Sequence, residues 1–356
     1  MASAFDRVAR RVRERGPLPF DEYMRIVLYD PEVGFYARPR AGRDGDFATS
    51  PSTTPGFGAF VARGLEQMWR ALGTPAPFVV VEGGAGTGEL AEAVVATVQA
   101  PMRDALRYHA VEQGAAARSA KRVSGVAWHA RLEEAPRAHV VLANELLDNL
   151  PARRFVVRGG VPRERLVDVR DGRPIEVDGP ALEEPLAGLF ARARGRGAEV
   201  VEGHVGELRT GIEEWVAAAA RHVQRGYLLF LDYGGPTSEV ASAPEGTVKT
   251  YRGHVAGTDP FEVPGECDVT VPVDFDQVAE VAGREGFAEV ARWPQRDLLL
   301  ALGAAERAAA LARARTAAEM EAWAGLREVL FGSPGTDITA QLLAKGAPPP
   351  AFVQSR

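Results

Sequence analysis

Phe78-Val79-Val80-Val81-Glu82-Gly83-Gly84-Ala85-Gly86-Thr87-Gly88 is the stretch of sequence that decides the fold. Its first five residues form a short apolar run rich in β-branched side chains, which is typical of a strand covered on both faces of a parallel sheet. A helical pattern follows over residues 90–98. A glycine-rich turn between a buried strand and a helix predicts a Rossmann-type loop that binds a nucleotide cofactor.

The spacing of the glycines discriminates between nucleotide cofactors. The dinucleotide fingerprint G-x-G-x-x-G would need a third glycine at position 89, where this chain has Glu89. A carboxylate there would repel a pyrophosphate, and no lysine follows the glycines as in a P-loop. The pattern over residues 82–88, acidic-x-Gly-x-Gly-x-Gly, resembles motif I of class I methyltransferases that use S-adenosylmethionine. A glycine turn without a ligand is the alternative.

Acidic residues at two strand ends fit the same cofactor. Glu82 would attract the cationic amino group of its methionine part. Glu112, which ends the next predicted strand, would accept hydrogen bonds from the ribose hydroxyls. The glycines let the backbone approach the cofactor without Cβ clashes.

Further buried runs alternate with helical segments along the chain. Strands predicted over residues 107–112, 139–144 and 227–232 indicate right-handed βαβ units. Residues 154–178 alternate apolar and polar side chains around glycine turns, which predicts a β-meander. The expected fold class is α/β, a Rossmann-like doubly wound sheet with an N-terminal helical segment and an inserted β-meander and helical subdomain on the substrate side.

The chain is expected to divide into four parts, and its tail beyond Gly332 is too rich in Pro and Gly to indicate an element. The predicted parts are the N-terminal helices and cofactor-covering loop (1–75), the Rossmann-like methyltransferase core (76–153 and 226–300), the inserted β-meander and helical subdomain (154–225), and the C-terminal helices and tail (301–356).

Composition narrows the function classes. The chain has 356 residues, a formal net charge of −6 and 46% hydrophobic residues, as in globular proteins. The acidic balance disfavours nonspecific binding to nucleic acid, and no apolar run reaches the length of a membrane span. The single cysteine, Cys267, and six histidines offer no metal-ligand spacing. We therefore expect a cytoplasmic protein without a signal peptide, metal site or nucleic-acid partner, with a homodimer left open.

Several motifs are more specific than the glycine loop. They are PFDEYM (19–24), LYDPEVGFY (28–36), GDFATSP (45–51), NELLDNLP (144–151), LDYG (231–234) and VPVDF (271–275). Together they resemble the MidA / NDUFAF7 family, in order, from about residue 17 to about residue 300. The mitochondrial members of that family are protein arginine methyltransferases that assist assembly of respiratory complex I.

The resemblance implies that the loop over residues 45–51 folds over the cofactor. Asp46 would add negative charge near the sulfonium, and Thr49 or Ser50 would donate to the cofactor carboxylate. Turn formation by Asp46 and Ser50 is the alternative. The residues predicted to bind S-adenosylmethionine are Asp46, Thr49, Ser50, Glu82, Gly84, Gly86, Gly88, Glu112, Gln113 and Asn144.

The candidate catalytic residues are Glu145, Asp148 and Asp232. Methyl transfer is an in-line displacement that needs positioning and removal of a proton. A planar guanidinium would be oriented by a pair of carboxylates, and Glu145 with Asp148 is the best-placed pair. Their alternative role is to cap the following helix. Asp232, at the end of another strand, would border the acceptor or cap the sheet.

The chain departs from the family near the predicted site. Pro272 stands where the family usually has a histidine, and Pro294 precedes Gln295 where the family has a threonine. His254 is a further histidine on a suspected active-site loop, with a plain surface role as the alternative. The methyl acceptor therefore stays open between a protein arginine nitrogen and a small-molecule oxygen or nitrogen. A non-catalytic assembly factor that retains the fold is the alternative from another class.

The choice of cofactor is tested by calorimetric titration of the purified chain. We expect saturable binding of S-adenosylmethionine and no heat of binding with NAD, because Glu89 replaces the third glycine of the dinucleotide fingerprint. Binding of NAD would contradict this interpretation of the loop.

Overall fold

The computed structural model describes residues 3–38, 49–54, 56–120, 123–253, 255–313 and 315–354. The chain folds into two compact units. We call residues 41–146, 216–233 and 279–356 the sheet unit, and residues 1–40, 147–215 and 234–278 the meander unit. No helix in the described ranges is long and apolar enough to cross a membrane. The four-part division expected from the sequence stays a prediction.

Helices and strands alternate over most of the chain. The α-helices are α1 Ala4–Arg15, α2 Phe20–Tyr29, α3 Ser50–Thr53, α4 Gly56–Ala71, α5 Glu89–Thr97, α6 Met102–Ala105, α7 Ala115–Ala120, α8 Leu186–Gly195, α9 Thr210–His222, α10 Thr237–Val240, α11 Phe275–Arg284, α12 Gln295–Ala301, α13 Ala304–Leu311, α14 Ala317–Phe331, α15 Ser333–Asp337 and α16 Ala351–Gln354. The strands are β1 Leu18–Pro19, β2 Phe78–Gly83, β3 Leu106–Val111, β4 Val126–His129, β5 Ala138–Asn144, β6 Arg153–Arg158, β7 Val161–Arg170, β8 Arg173–Ala181, β9 Val205–Leu208, β10 Val223–Gly235, β11 Lys249–Arg252, β12 Val255–Gly257, β13 Asp268–Thr270, β14 Val273–Asp274, β15 Ala288–Pro294 and β16 Ile338–Lys345.

The sheet unit is built around strands in the order β15-β16-β10-β5-β2-β3-β4. β2 lies between β3 and β5 and is parallel to both, and all six of its residues are buried. This explains its uninterrupted apolar run, since side chains on both faces pack against other elements. The doubly wound Rossmann-like fold expected from the sequence is confirmed.

One strand of this sheet comes from the tail in which the sequence indicates no element. β16 pairs antiparallel with β10 on one side and with β15 on the other. Six of its eight residues, Ile338 and Ala340 to Ala344, are buried. β16 thus runs opposite to both of its neighbours. The Pro and Gly residues that flank its short apolar run make this strand hard to recognise from the sequence.

A large apolar core lies in the sheet unit. Helices α4, α5 and α14 contribute buried side chains such as Leu65, Leu90 and Leu326, which pack in one cluster with strand residues such as Val80 and Leu229. These helices therefore pack against the sheet, and this packing fixes the positions of β2, β3, β5 and β10.

The meander unit contains a second sheet in the order β1-β7-β6-β9, with β8 paired to β7. β6, β7 and β8 form antiparallel pairs joined by tight turns, as the alternating pattern predicts. A small core of Phe155, Val157, Leu186, Leu189 and Leu208 supports this sheet. The inserted β-meander is thus confirmed, and the N-terminal strand β1 extends it through pairing with β7.

The contribution of β16 is tested by Leu342→Ala. Leu342 is fully buried and pairs with Leu229 of β10 and Ala291 of β15. The cavity and the lost burial should lower the free energy of unfolding by about 2–5 kcal/mol. Met320→Ala is the control, because Met320 is 54% exposed and its truncation should change stability by less than about 0.5 kcal/mol. Equal effects in a denaturant titration would contradict the central place of β16.

Candidate active site

The glycine loop after β2 has a backbone that most side chains would obstruct. Gly84 and Gly86 have φ of 67° and 53°, in the left-handed region that favours glycine. A Cβ on Gly84 would lie 2.8 Å from the Leu146 side chain, whereas a Cβ on Gly86 would meet no described atom within 4 Å. Gly84 therefore allows close packing, and Gly86 leaves an open backbone surface that a ligand can approach.

The carboxylate of Glu112 holds this loop from the end of β3. It accepts the backbone N–H of Gly86 at 2.9 Å and that of Gly114 at 2.6 Å. Burial raises the pKa of Glu112, while these N–H donors oppose the rise. Each oxygen keeps acceptor capacity for a further donor. The neighbouring Gln113 is exposed, and its carbonyl accepts from Arg118 at 2.6 Å.

Glu82 is a carboxyl buried inside the sheet. It is 3% exposed and accepts a hydrogen bond from the Tyr108 hydroxyl at 2.8 Å. Burial raises the pKa of Glu82 to about 8, the Tyr108 hydrogen bond lowers it, and the negative charge of Glu112 raises it further. The carboxyl therefore holds a proton at neutral pH until a cation is placed beside it.

Ser50 joins the segment before α4 to the end of β5. It begins the short helix α3, for which Thr49 is the N-cap, and its backbone N–H donates to Glu145 Oε1 at 2.9 Å. The Ser50 hydroxyl lies 3.1 Å from Nε2 of Gln295, a fully buried residue at the start of α12. Sequence reasoning gave Gln295 no role, because it is followed by the polar residues Arg296 and Asp297 and does not stand out in the sequence.

Asn144 and Glu145 lie side by side where β5 ends. Asn144 Nδ2 donates to Glu145 Oε1 at 3.0 Å. Asn144 Oδ1 is buried and has no hydrogen-bond partner in the described part of the chain. Glu145 has a φ of 53°, which is strained for a residue with a side chain. Burial raises its pKa against the hydrogen bonds from Ser50 and Asn144, which lower it.

Asp232 is fully buried near the end of β10. Its two carboxylate oxygens accept the backbone N–H of Leu146 and that of Tyr233, each at 2.9 Å. This geometry favours a role in positioning the turn after β5 over direct contact with a methyl acceptor. Asp232 therefore supports the turn that carries Glu145, and its place beside the acceptor stays a prediction.

Three candidate residues from the sequence are not part of the described sheet unit. Asp148 belongs to the meander unit, in a 3₁₀ turn at Leu147–Asn149, and is 7% exposed. Its carbonyl accepts the N–H of Val271 at 2.7 Å. Asp46, with most of the predicted covering loop, and His254 lie outside the described residues.

The donor set fits S-adenosylmethionine. Glu82 lies near the end of β2 and Glu112 follows the adjacent strand β3, next to the open backbone of Gly86, and two such acids suit a ligand with one cationic end and a ribose. The unsatisfied Asn144 oxygen adds an acceptor at the same edge of the sheet. Among the described residues, no group of three His, Cys, Asp or Glu could hold a metal ion. The site can therefore bind and orient a cationic donor and take up a proton.

Comparison with known proteins agrees with this chemistry. A family model described as "Putative S-adenosyl-L-methionine-dependent methyltransferase" matches residues 60–292. The chain is 30% identical over 319 residues to the mitochondrial protein arginine methyltransferase NDUFAF7 homolog of Drosophila melanogaster, covering 78% of this chain and 69% of that one. The mitochondrial protein arginine methyltransferase NDUFAF7 of Danio rerio is 25% identical over 316 residues, covering 79% and 72%. The resemblance drawn from the motifs is confirmed.

A solved structure extends the match to nearly the whole chain. A protein of Burkholderia thailandensis with bound S-adenosylhomocysteine superimposes with a TM-score of 0.86 at 26% identity, covering 99% of this chain and 94% of that one. S-adenosylhomocysteine is S-adenosylmethionine without its transferable methyl group. The predicted cofactor, S-adenosylmethionine, is thereby confirmed.

The environment of Glu82 predicts a pH-dependent stability. A carboxyl with a higher pKa in the folded chain than in the unfolded chain stabilises the fold below both values, and this contribution is lost as pH rises between them. For Glu82 the interval runs from the ordinary 4.5 to about 8. Without cofactor, Glu82→Gln should therefore melt above the native chain by a margin that grows from pH 5 to pH 8. Exposed Glu133→Gln is the control, and a margin independent of pH in thermal melts would refute the interpretation.

Proposed function

The chain belongs to the S-adenosyl-L-methionine-dependent methyltransferase family, and we propose that its methyl acceptor is a nitrogen of a protein arginine side chain. The reaction is methyl transfer and the cofactor is S-adenosylmethionine. The observation that carries the proposal is the half-buried Glu145 at the end of β5, whose carboxylate lies beside the buried Asn144 amide.

A guanidinium suits this arrangement because it is planar, cationic and rich in N–H donors. Carboxylates bind it through charge-assisted hydrogen bonds that fix its orientation. Relatives over most of the chain are named protein arginine methyltransferases, which supports the same acceptor. The pairing of Asp148 with Glu145, drawn from the sequence, stays a prediction.

Methyl transfer requires few catalytic and binding roles, and these can be assigned to a few side chains. When bound, the cofactor supplies an electrophilic methyl group on a sulfonium. Glu82 would attract the cofactor's ammonium and Glu112 its ribose hydroxyls, while the open backbone at Gly86 permits close approach. The proposed cofactor site also includes Gly84, Gly88, Gln113, Thr49 and Ser50. Glu145 would hold the acceptor and take up its proton, with Asp232 fixing the turn beneath it.

Burial makes Glu145 a better proton acceptor than an exposed carboxylate. The raised pKa of Glu145 brings it closer to neutrality, where a general base combines a useful deprotonated fraction with a stronger driving force for proton uptake. The hydrogen bonds from Ser50 and Asn144 keep the carboxylate oriented. The same group can thus bind and deprotonate a guanidinium.

A small-molecule acceptor is the second candidate. It is favoured by Pro272, which stands where the resemblance to the family implies a histidine near the site, because such a difference would alter recognition of the acceptor. The fold and the cofactor would be the same in both cases.

The proposal is tested with Glu145→Gln and labelled S-adenosylmethionine. Loss of the base should lower methyl transfer to an arginine-containing peptide by about 10²–10⁴-fold, the usual contribution of a general base. The Kd of S-adenosylhomocysteine should change by less than about threefold, because Glu145 is not part of the proposed cofactor site. Glu133→Gln is the matched control, since Glu133 is an exposed glutamate on the same unit.

The acceptor itself is identified by product mass. An arginine peptide, the same peptide with lysine in place of arginine, and a panel of small amines and alcohols are offered in parallel. Methylation of the arginine peptide alone supports the proposal, and methylation of a small molecule alone replaces it with the second candidate. Loss of cofactor binding in Glu145→Gln would remove Glu145 from the acceptor side.

A further inference from the structure

The amide of Asn144 presents an oxygen that no described group satisfies. The side chain is 9% exposed, and Oδ1 is buried without a hydrogen-bond partner in the described ranges of the chain. Leaving a buried amide oxygen unpaired costs about 1–3 kcal/mol. Such an atom in a folded protein calls for a donor from outside the described residues, and a ligand is one source of it.

The other end of the amide fixes which atom is presented. Nδ2 donates to Glu145 Oε1 at 3.0 Å, and the same oxygen accepts the Ser50 N–H at 2.9 Å. Rotating the amide by 180° would set Oδ1 against the carboxylate oxygen, two acceptors facing each other. The ligand therefore meets an oxygen at this position, and a group that donates a hydrogen is required.

The register of the sheet places this oxygen near the glycine loop. Gly83 of β2 pairs with Ala143 of β5, so Gly84 and Asn144 leave the sheet at the same edge. Two residues further on, the Leu146 side chain packs against Gly84. This edge, beyond the carboxyl ends of the strands, is where open α/β sheets bind their ligands.

We propose that Asn144 Oδ1 accepts a hydrogen bond from an N–H of the methyl acceptor and so selects a nitrogen that carries hydrogen. The inference rests on the proposed function and deepens it, and it moves Asn144 from the cofactor to the acceptor. Asn144 and the Glu145 carboxylate would hold two hydrogens of the acceptor. An alcohol oxygen has only one hydrogen to offer, so the pair discriminates against it.

The transfer step balances with these two side chains. The acceptor nitrogen forms the N–C bond with its own electron pair, and the C–S bond breaks with its pair staying on sulfur. One N–H proton passes to the Glu145 carboxylate. The hydrogen bond to Asn144 Oδ1 keeps the second hydrogen in place, so that the nitrogen's electron pair points along the line of attack. The guanidinium product has the same charge as the guanidinium substrate.

The test separates binding of the acceptor from binding of the cofactor. In Asn144→Ala, the KM of an arginine peptide should rise at least about tenfold, while the Kd of S-adenosylhomocysteine by calorimetry stays within about twofold. Gln113→Ala should show the opposite pattern, because Gln113 is proposed to contact the cofactor only. Asn144→Asp keeps an oxygen at this position, so its peptide KM should stay closer to the native value than that of Asn144→Ala, even though its charge beside Glu145 lowers kcat.

Each contrary result has a separate meaning. A tenfold loss of S-adenosylhomocysteine binding in Asn144→Ala with an unchanged peptide KM would overturn the inference, and so would two unchanged constants. If Asn144→Ala does not fold, Asn144→Asp takes its place in the test. A tenfold rise in the peptide KM of Asn144→Asp then overturns the inference. If a small amine is methylated in place of the peptide, the arginine proposal fails, and the same constants for that amine decide the role of Asn144. Methylation of an alcohol alone would refute the inference.

Discussion

The turn after β5 is held by the end of β10, and the candidate site depends on this constraint. The Glu145 N–H donates to the carbonyl of Leu231 at 2.8 Å, and the next N–H, that of Leu146, donates to the buried Asp232 carboxylate at 2.9 Å. These bonds keep Glu145 at a positive φ that a side chain normally avoids. Because hydrogen bonds to a buried charge are strong, they offset the strain and set the Asn144 amide beside the Glu145 carboxylate.

Three carboxyls at this edge of the sheet are stabilised in three different ways. Glu82 receives a phenol hydrogen bond, Glu112 receives two backbone N–H bonds, and Glu145 receives an amide and a backbone N–H. Burial raises the pKa of all three. A site of this kind exchanges protons readily when a cation arrives, since a nearby positive charge favours the ionised form. In the proposed function, these carboxyls supply both the groups that attract a cation and the proton acceptor.

The pattern of neighbouring residues predicted those parts of the fold that depend on a short stretch of the chain. The β-branched run of β2 and the glycines behind it fix a strand, a turn and a cofactor type within eleven residues, and the structure and the solved relative agree. The cofactor was therefore predictable.

The strand β16 was not predictable from the sequence. Its direction and its place in the sheet come from pairing with β10, which is far away in the chain, and its short apolar run does not indicate a direction. Gln295 and the unpaired oxygen of Asn144 were equally invisible, since both depend on which atoms meet after folding. Asp232 shows the same limit: a strand-end acid looks alike in sequence whether it faces a ligand or binds backbone N–H groups.

The pairing of β16 with β10 also governs how the sheet forms. Tyr233 is opposite Ile338, and Gly226 is opposite Lys345, so the two strands join segments roughly a hundred positions apart. Closing so long a loop costs entropy before any contact is gained, and contacts of this range slow folding. Until β16 inserts, β10 and β15 each have an open edge in the middle of the future sheet, and open edges are templates for pairing with other chains. Any delay in placing β16 therefore leaves these edges open and the folding chain vulnerable to aggregation.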